Sequence, residues 1–423
     1  MKVLLSTIGS RGDVQPLLAL ALELRALGHE SSLCVPPNFK EWVDSFGLRC
    51  VPIGPDVRRF AAAATTGKPG AVRGGVAKMS TKQAHQLAAP TVREQFRVLN
   101  EAARGCDLVI AATALQIAAR SVAENLAIPY VFVAYCPTVL PAPDHPPLPK
   151  RGLRYPPWLP SVVNRVLWAL DDRRVDAMFL ATLNDERAKL GLAPVDSVQR
   201  HIFTERPWLA ADSTLAPASG RSRLHIVQTG AWMLPDDSPL PDELERFLAN
   251  GEPPVYLGFG SMRAPGQTDR LLIEAARAAG VRSVISRGWG DLGAVDSGAD
   301  CISIGDVNHA RLFSRVAAVV HHGGSGTTTA AASASTPQVI VPHNYDQFYF
   351  ARRVQELRVG VSCPRRERLT VNALGSALRE CLRPEMKERA RSLAGRIASD
   401  EAKRAAQRLS DEFGRRDPIS AVV

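Results

Sequence analysis

Two doubly wound α/β domains, each on a parallel sheet, are what this sequence predicts. Three observations carry that expectation. Short apolar runs alternate with helix-period segments in a first series ending near Ala134, and again in a second series that begins at Val255. A stretch rich in Pro and Asp, residues 234–241, separates the two series. The apolar run 316–320 leads straight into HHGGSGTTTAAASAS (residues 321–335), a strand that ends in a Gly/Ser/Thr turn and opens a helix.

In the first series, residues 2–6 read as a strand, residues 9–12 as a turn and residues 16–27 as a helix. The helix has Leu17, Leu20, Ala21, Leu24 and Leu27 at helical spacing. Pro16 suits its first turn and Gly28 its end. Strands follow at 32–35, 50–53, 107–111 and 130–134, with a helix near 115–126. Prolines recur from Pro137 to Pro160, excluding helix and central strand, so residues 136–160 are expected to form an irregular surface loop. A helix over 158–190 comes next, carrying Trp168, Leu170, Met178, Phe179 and Leu183.

The second series has strands at 255–259, 283–286, 301–304, 317–320 and 339–341, and helices near 269–279 and 348–357. Residues 372–413 are helical by pattern, with Gly375 and Pro384 as interruptions. The expected division is 1–233, a linker at 234–253, a second domain at 254–402, and a terminal helix at 403–423 packing back towards the first domain. Ligands of such sheets lie beyond the carboxyl ends of strands, so an interdomain cleft is the expected site.

Composition narrows the function classes. The 423 residues are 45% hydrophobic and 22% charged, as in ordinary globular proteins. No apolar run is long enough for a transmembrane helix, and the opening MKVLLSTIGSRGD lacks the pattern of a signal peptide, so a cytoplasmic protein is expected. Cys34, Cys50, Cys106, Cys136, Cys301, Cys363 and Cys381 are scattered without metal-ligand spacing, which predicts buried free thiols and no metal site. The net charge of +10 is spread over many segments, among them Arg352-Arg353, Arg365-Arg366 and Arg415-Arg416. No basic stripe interleaves with aromatics, so nucleic acid is not an expected partner. At most a weak peripheral association with anionic lipid is expected, and a monomer is the default.

The chemistry concentrates at strand ends. In HHGGSGTT the glycines let backbone N–H groups approach an anion, the hydroxyls of Ser325, Thr327 and Thr328 can donate, and the helix N-terminus is partly positive. No Gly-Lys-Ser/Thr follows, so this is not a P-loop. His322 at the strand end can donate to a diphosphate. Asp346-Gln347, just after the next strand, can clamp a polyol: a carboxylate accepts two hydroxyl hydrogens, while an amide donates and accepts. Its alternative is a helix start with Asn344 or Asp346 as cap. Ser261, in GFGS at the end of the strand 255–259, can reach the same diphosphate. The backbone of Val307, in GDVNH (305–309), can pair with a nucleobase edge. In the first domain GSRGD (9–13) is either a connecting turn with Asp13 as helix cap, or a carboxylate facing the cleft as general base.

Together these residues resemble the family 1 nucleotide-sugar glycosyltransferases of the GT-B fold. The resemblance is greatest to the bacterial branch that glycosylates vancomycin-group glycopeptide antibiotics, and looser to sterol glucosyltransferases. It runs through GSRGDVQPLLALALELRALGHE (9–30), RSVAENLAIPY (120–130), YCPTVLPAP (135–143), VQTGAWMLPDD (227–237), PPVYLGFGSM (253–262), the HHGG turn and DQFYFARRVQELRVGV (346–361). It implies that Asp13 is the general base and that Ser10 and Arg11 lie by the diphosphate. It implies further that Ser261, His322, Gly324, Ser325, Gly326 and Thr327 hold the diphosphate, Val307 the base, and Asp346 and Gln347 the donor sugar. Neither metal nor cofactor is needed. GDVNH replaces the plant-type Trp-Ala-Pro-Gln, so UDP and dTDP both stay open.

The expected reaction is inverting transfer of a hexose to a secondary-metabolite aglycone of glycopeptide, macrolide or polyphenol type. Glucose is favoured, because a deoxysugar would leave the Asp346-Gln347 groups unpaired at about 1–3 kcal/mol. The acceptor is expected against segment 67–86 and against Tyr135, Pro137 and Trp158 of the Pro-rich region. The alternatives are a sterol or lipid glucosyltransferase, a sugar-nucleotide 2-epimerase and a non-catalytic nucleotide-sugar binder.

Overall fold

The computed structural model describes residues 1–57, 81–148, 156, 158–262, 267–290, 292–293 and 298–414. The chain divides into two compact units. One holds Met1–Ala211, Pro217–Leu234 and the chain from Asp400 on; the other holds Asp212–Ala216 and Pro235–Ser399.

The first unit runs β1 (Lys2–Thr7), α1 (Arg11–Ala26), β2 (Glu30–Val35), α2 (Lys40–Asp44), β3 (Arg49–Pro52), α3 (Thr81–Ala102), β4 (Leu108–Ala112), α4 (Ala119–Asn125), β5 (Tyr130–Ala134), α5 (Ser161–Lys189), α6 (Val198–Phe203), β6 (Trp208–Leu209) and β7 (Val227–Gln228). Its sheet is wholly parallel, in the order β3-β2-β1-β4-β5-β6-β7. The strand order reverses between β1 and β4, so the crevice at the carboxyl end of β1 is where such a sheet binds ligands. Leu4, Leu5, Leu33, Ile110 and Phe132 are fully buried, which is why the strands read as continuous apolar runs.

The second unit contains α7 (Asp242–Ala249), β8 (Val255–Leu257), α8 (Thr268–Ala278), β9 (Ser283–Ser286), β10 (Cys301–Ile304), α9 (His309–Phe313), β11 (Ala318–His321), α10 (Ser325–Ser333), β12 (Gln338–Ile340), α11 (Gln347–Glu356), β13 (Gly360–Ser362), α12 (Val371–Cys381) and α13 (Pro384–Ala394). The parallel order is β10-β9-β8-β11-β12-β13. Here the reversal lies between β8 and β11, paired as Ala318↔Val255, Val319↔Tyr256 and Val320↔Leu257. Both GFGS and HHGG leave the sheet at this point. One core cluster joins Val255, Leu257 and Phe259 to α8 and α12; the other joins Tyr256, Phe313 and Val319 to α7. The last helix, α14 (Glu401–Phe413), belongs to the first unit and packs on α1, with Ser410 Oγ 2.9 Å from His29 Nε2.

Several expectations need correction. The linker at 234–253, apart from Leu234, is part of the second unit: Leu240, Leu244 and Leu248, one turn apart, insert into its core. Asn308 Nδ2 also donates to the carbonyls of Asp236 (2.6 Å) and Ser238 (3.1 Å). Residues 212–216 join this unit because Arg353 donates to the carbonyls of Leu215 and Thr214, both at 3.0 Å. The terminal helical stretch is three helices. Gly375 lies inside α12, where an added Cβ would sit 3.5 Å from the Ala275 carbonyl, and Pro384 opens α13.

Over its described residues 136–148 the Pro-rich stretch is irregular, as expected, apart from a single 3-10 turn at Pro137–Val139, but it is partly buried rather than on the surface. Leu140, Ala142 and His145 are buried, and side chains hold its backbone: Asn164 Nδ2 donates to Pro143 O (3.1 Å), Trp168 Nε1 to His145 O (3.0 Å) and Ser222 Oγ to Pro141 O (2.7 Å). Prolines bring carbonyls without N–H groups, so partners must come from side chains. Residues 149–155 and 157 lie outside the described residues, as do 67–80 of the segment 67–86 and Arg415-Arg416. All seven cysteines are free thiols, five of them buried. Among the described residues no helix is long and apolar enough to cross a membrane.

Candidate active site

The turn after β1 is built around Asp13. Helix α1 starts at Arg11, five residues before Pro16, because Ser10 is its N-cap and Asp13 its third residue. Asp13 Oδ2 accepts from the Ser10 N–H (2.6 Å) and the Ser10 hydroxyl (3.0 Å). This is the return half of a capping box, with Asp in the position usually held by Glu or Gln. Both bonds fall on Oδ2; among the described residues Oδ1 has no hydrogen-bond partner. Burial raises the carboxyl above its ordinary pKa, while the two Ser10 bonds pull the other way.

Gly9 makes this geometry possible. A Cβ there would lie 2.2 Å from Asp13 Oδ2 and 2.4 Å from its Cγ. The Tyr135 hydroxyl donates to the Asp13 carbonyl (3.1 Å), tying the end of β5 to the same turn. Arg11 stacks its guanidinium 4.8 Å over Trp42, a residue that sequence reasoning missed because α2 was not foreseen. The cap and base alternatives for Asp13 therefore do not compete, since one oxygen caps and the other remains.

The second unit gathers residues from the ends of β8, β11 and β12. His321 is the sheet anchor. Its Nδ1 accepts from the Gly323 N–H (3.1 Å), so its Nε2 carries the proton to Gln338 Oε1 (2.9 Å). Gly323 has φ +92, and a Cβ there would meet Ile340 at 2.7 Å and the Gln347 carbonyl at 3.1 Å, so only glycine fits. Gly324 caps α10, and a Cβ on it would lie 2.6 Å from His322 Nε2. The amides of Ser325, Gly326 and Thr327 form the first turn of α10, where N–H groups have no carbonyl within the helix. Thr328 does not contribute as expected: its hydroxyl donates back to Gly324 O (2.9 Å) and is buried.

His322 lies against Gly260 of GFGS, which places Ser261 next along the same turn. Burial pushes the His322 imidazole down to about 4. His343, absent from the sequence expectations, is only 3% exposed; its ring meets Phe259 edge-on at 4.8 Å and lies 6.5 Å from His322. Its signal was a lone histidine after β12, which spacing alone does not distinguish from a loop residue. Trp289, also unforeseen, donates its backbone N–H to the Gly260 carbonyl (2.9 Å).

Gln347 departs in part from the polyol clamp. Its Oε1 accepts from the N–H groups of His343 (2.7 Å) and Asn344 (2.9 Å). Only an oxygen can accept both, so the amide orientation is fixed and Nε2 alone remains to donate. Asp346 is the N-cap of α11 by position, yet its side chain makes no capping bond. Val307 is partly buried, leading into Asn308, whose Oδ1 caps α9 through the Arg311 N–H (3.0 Å). Of the three acceptor candidates, the Tyr135 hydroxyl is engaged and Pro137 is buried, while Trp158 is 76% exposed.

Comparison with known proteins gives the family. Residues 3–140 match the glycosyltransferase family 28 N-terminal domain, and residues 295–409 the erythromycin biosynthesis protein CIII-like C-terminal domain. The chain is similar to glycosyltransferase GtfE of Amycolatopsis orientalis, at 43% identity over 99% of each chain. It is also similar to the vancomycin aglycone glucosyltransferase of that organism, at 42% identity over 99% of each chain. The solved structure of the glycosyltransferase VinC in complex with dTDP has the same fold, with a TM-score of 0.63 and 22% identity over 96% of this chain and 100% of that one. The chain belongs to the family 1 glycosyltransferases of the GT-B fold, enzymes that take their sugar from a nucleotide sugar.

Proposed function

We propose that this glycosyltransferase moves a hexose, glucose in the first instance, from a nucleoside-diphosphate sugar to a hydroxyl of a glycopeptide-type aglycone, with inversion at the anomeric carbon. The observation that carries the donor half is the HHGG turn. It sets a histidine beside the amino end of α10 at the strand-order reversal of its sheet. The acceptor class is taken from the aglycone named for the 42% identical relative.

In this reaction Asp13 Oδ1 takes the proton of the acceptor hydroxyl as its oxygen attacks the anomeric carbon. The bond from that carbon to the diphosphate oxygen breaks, and the nucleoside diphosphate leaves. Ser10 keeps the carboxylate aimed by occupying the other oxygen, and burial makes it a better base than an exposed aspartate. The first-turn amides of α10, Ser261 and His322 stabilise the leaving diphosphate. Asp346 and the Nε2 of Gln347 bind sugar hydroxyls, and the Val307 backbone meets the base. Charge on the leaving group is met by amides and an imidazole, so this scheme calls for no divalent metal.

Mass spectrometry of reactions containing UDP-glucose or dTDP-glucose and a panel of glycopeptide, macrolide, polyphenol and sterol acceptors tests the proposal. A hexose adduct on a glycopeptide aglycone is expected. Turnover confined to sterols would overturn the acceptor class. Nucleotide binding without any adduct would overturn the transfer.

A further inference from the structure

The first half of α5 is apolar on two faces. Trp168 points inward, buried, with its ring 5.9 Å from His145. Val162, Val166 and Leu170 point outward and are 66%, 53% and 54% exposed. They stand one turn apart, so they form a single stripe. Trp158, three residues before the helix, is the most exposed large hydrophobic among the described residues. Scattered surface valines need no explanation, but three exposed apolar side chains on one stripe, with an exposed tryptophan just before the helix, do.

The charges on this helix are sorted. Asp171 Oδ2 accepts from Gln199 Nε2 (3.0 Å), Asp172 from Ser197 Oγ (2.7 Å) and Asp176 from the Val198 N–H (2.8 Å). The carboxylates are thus turned towards α6 and its cap. Arg165 and Arg173 are exposed and form no ion pair among the described residues. By helical periodicity Arg173 falls on the stripe and Arg165 at its edge.

We propose that this face of α5, with Trp158, Val162, Val166 and Leu170 flanked by Arg165 and Arg173, docks the protein on an anionic lipid surface. The apolar side chains enter the acyl boundary, the indole sits at headgroup depth, and the guanidinium groups stay with lipid phosphates. A second copy of the chain is the poorer fit. A two-fold contact would set the arginine-bearing stripes against each other in a chain already at +10. The docking does not rest on the transfer reaction.

The test is sedimentation of the full-length protein with phosphatidylcholine vesicles, with and without phosphatidylglycerol. Binding to the anionic vesicles only is expected. The triple substitution Val162→Ser, Val166→Ser, Leu170→Ser should abolish it with an unchanged melting temperature. Arg165→Gln and Arg173→Gln should each weaken it about fivefold. Absence of sedimentation, equal binding to neutral vesicles, or binding retained by the triple variant would overturn the proposal. So would a dimer by light scattering that the triple variant dissolves, which would assign the face to a second copy.

Discussion

Replacing Gly9 with alanine should silence the enzyme without unfolding it. The new Cβ would start 2.2 Å from Asp13 Oδ2, and relaxing even to a tight contact moves that oxygen by about 1 Å. Asp13 Cγ, at 2.4 Å, and Cβ, at 2.8 Å, must give way as well, so the turn shifts with the side chain. The cost to stability includes the lost Ser10 cap bond, about 0.5–2 kcal/mol. The cost to catalysis is larger. A 1 Å misplacement of a reacting group costs about 100-fold in rate, or about 2.7 kcal/mol of transition-state stabilisation. The assay is kcat/KM for glucosyl transfer, beside calorimetric binding of UDP and a thermal melt. Nucleotide affinity should hold. Because Gly9 acts through Asp13, adding the change to Asp13→Asn should cost almost nothing further. Activity of Gly9→Ala within threefold of wild type, or full additivity with Asp13→Asn, would refute the reasoning.

Three further outcomes are expected. Gly324→Ala drives a Cβ to 2.6 Å from His322 Nε2 and should weaken UDP binding about tenfold by calorimetry, whereas unchanged affinity would remove His322 from the diphosphate site. Gln347→Glu keeps an acceptor for the His343 and Asn344 amides but replaces the Nε2 donor with a buried carboxylate, so it should raise the donor KM. Gln347→Leu orphans both amides and should destabilise by about 1–3 kcal/mol in urea titrations. Burial pushes His321 and His343 down to about 3 and His201 to about 4, from an ordinary 6.5. Below 6.5 the unfolded chain takes up protons that the folded one refuses, so stability is whole above 6.5 and falls as pH drops towards 4. A urea midpoint that stays flat between about pH 7.5 and about pH 5 would contradict this.

The long apolar strands were legible because both faces of a parallel sheet are covered, so Leu4, Ile110 or Val320 needs no polar alternation to announce itself. The strands β6, β7 and β13, of two or three residues each, are too short to carry a period. Proline signals a first turn, so the sequence points to Pro16 as the start of α1. The helix instead begins at Arg11, after its N-cap Ser10, and a cap completed by a side chain three residues on leaves little trace in composition.

At the candidate site, the glycines of HHGG and the strand end before them made the turn into α10 legible. What the sequence left hidden was the division of labour within side chains. Asp13 caps with one oxygen and frees the other, Gln347 spends its oxygen on the backbone, and Thr328 turns inward. Such choices depend on which backbone N–H lies nearby, which no spacing rule specifies. His343 and Trp289 were missed for the same reason, since packing against Phe259 and Gly260 makes them part of the site.

The central claim is that Asp13 is the base of an inverting transfer. It is tested most directly by nuclear magnetic resonance of the glycosylated aglycone formed from an α-linked UDP-glucose, with wild type and Asp13→Asn in parallel. The account predicts a β-linked product from wild type, and a loss of at least about 100-fold in rate for Asp13→Asn with UDP affinity intact. An α-linked product, or turnover by Asp13→Asn within a few-fold of wild type, would contradict it.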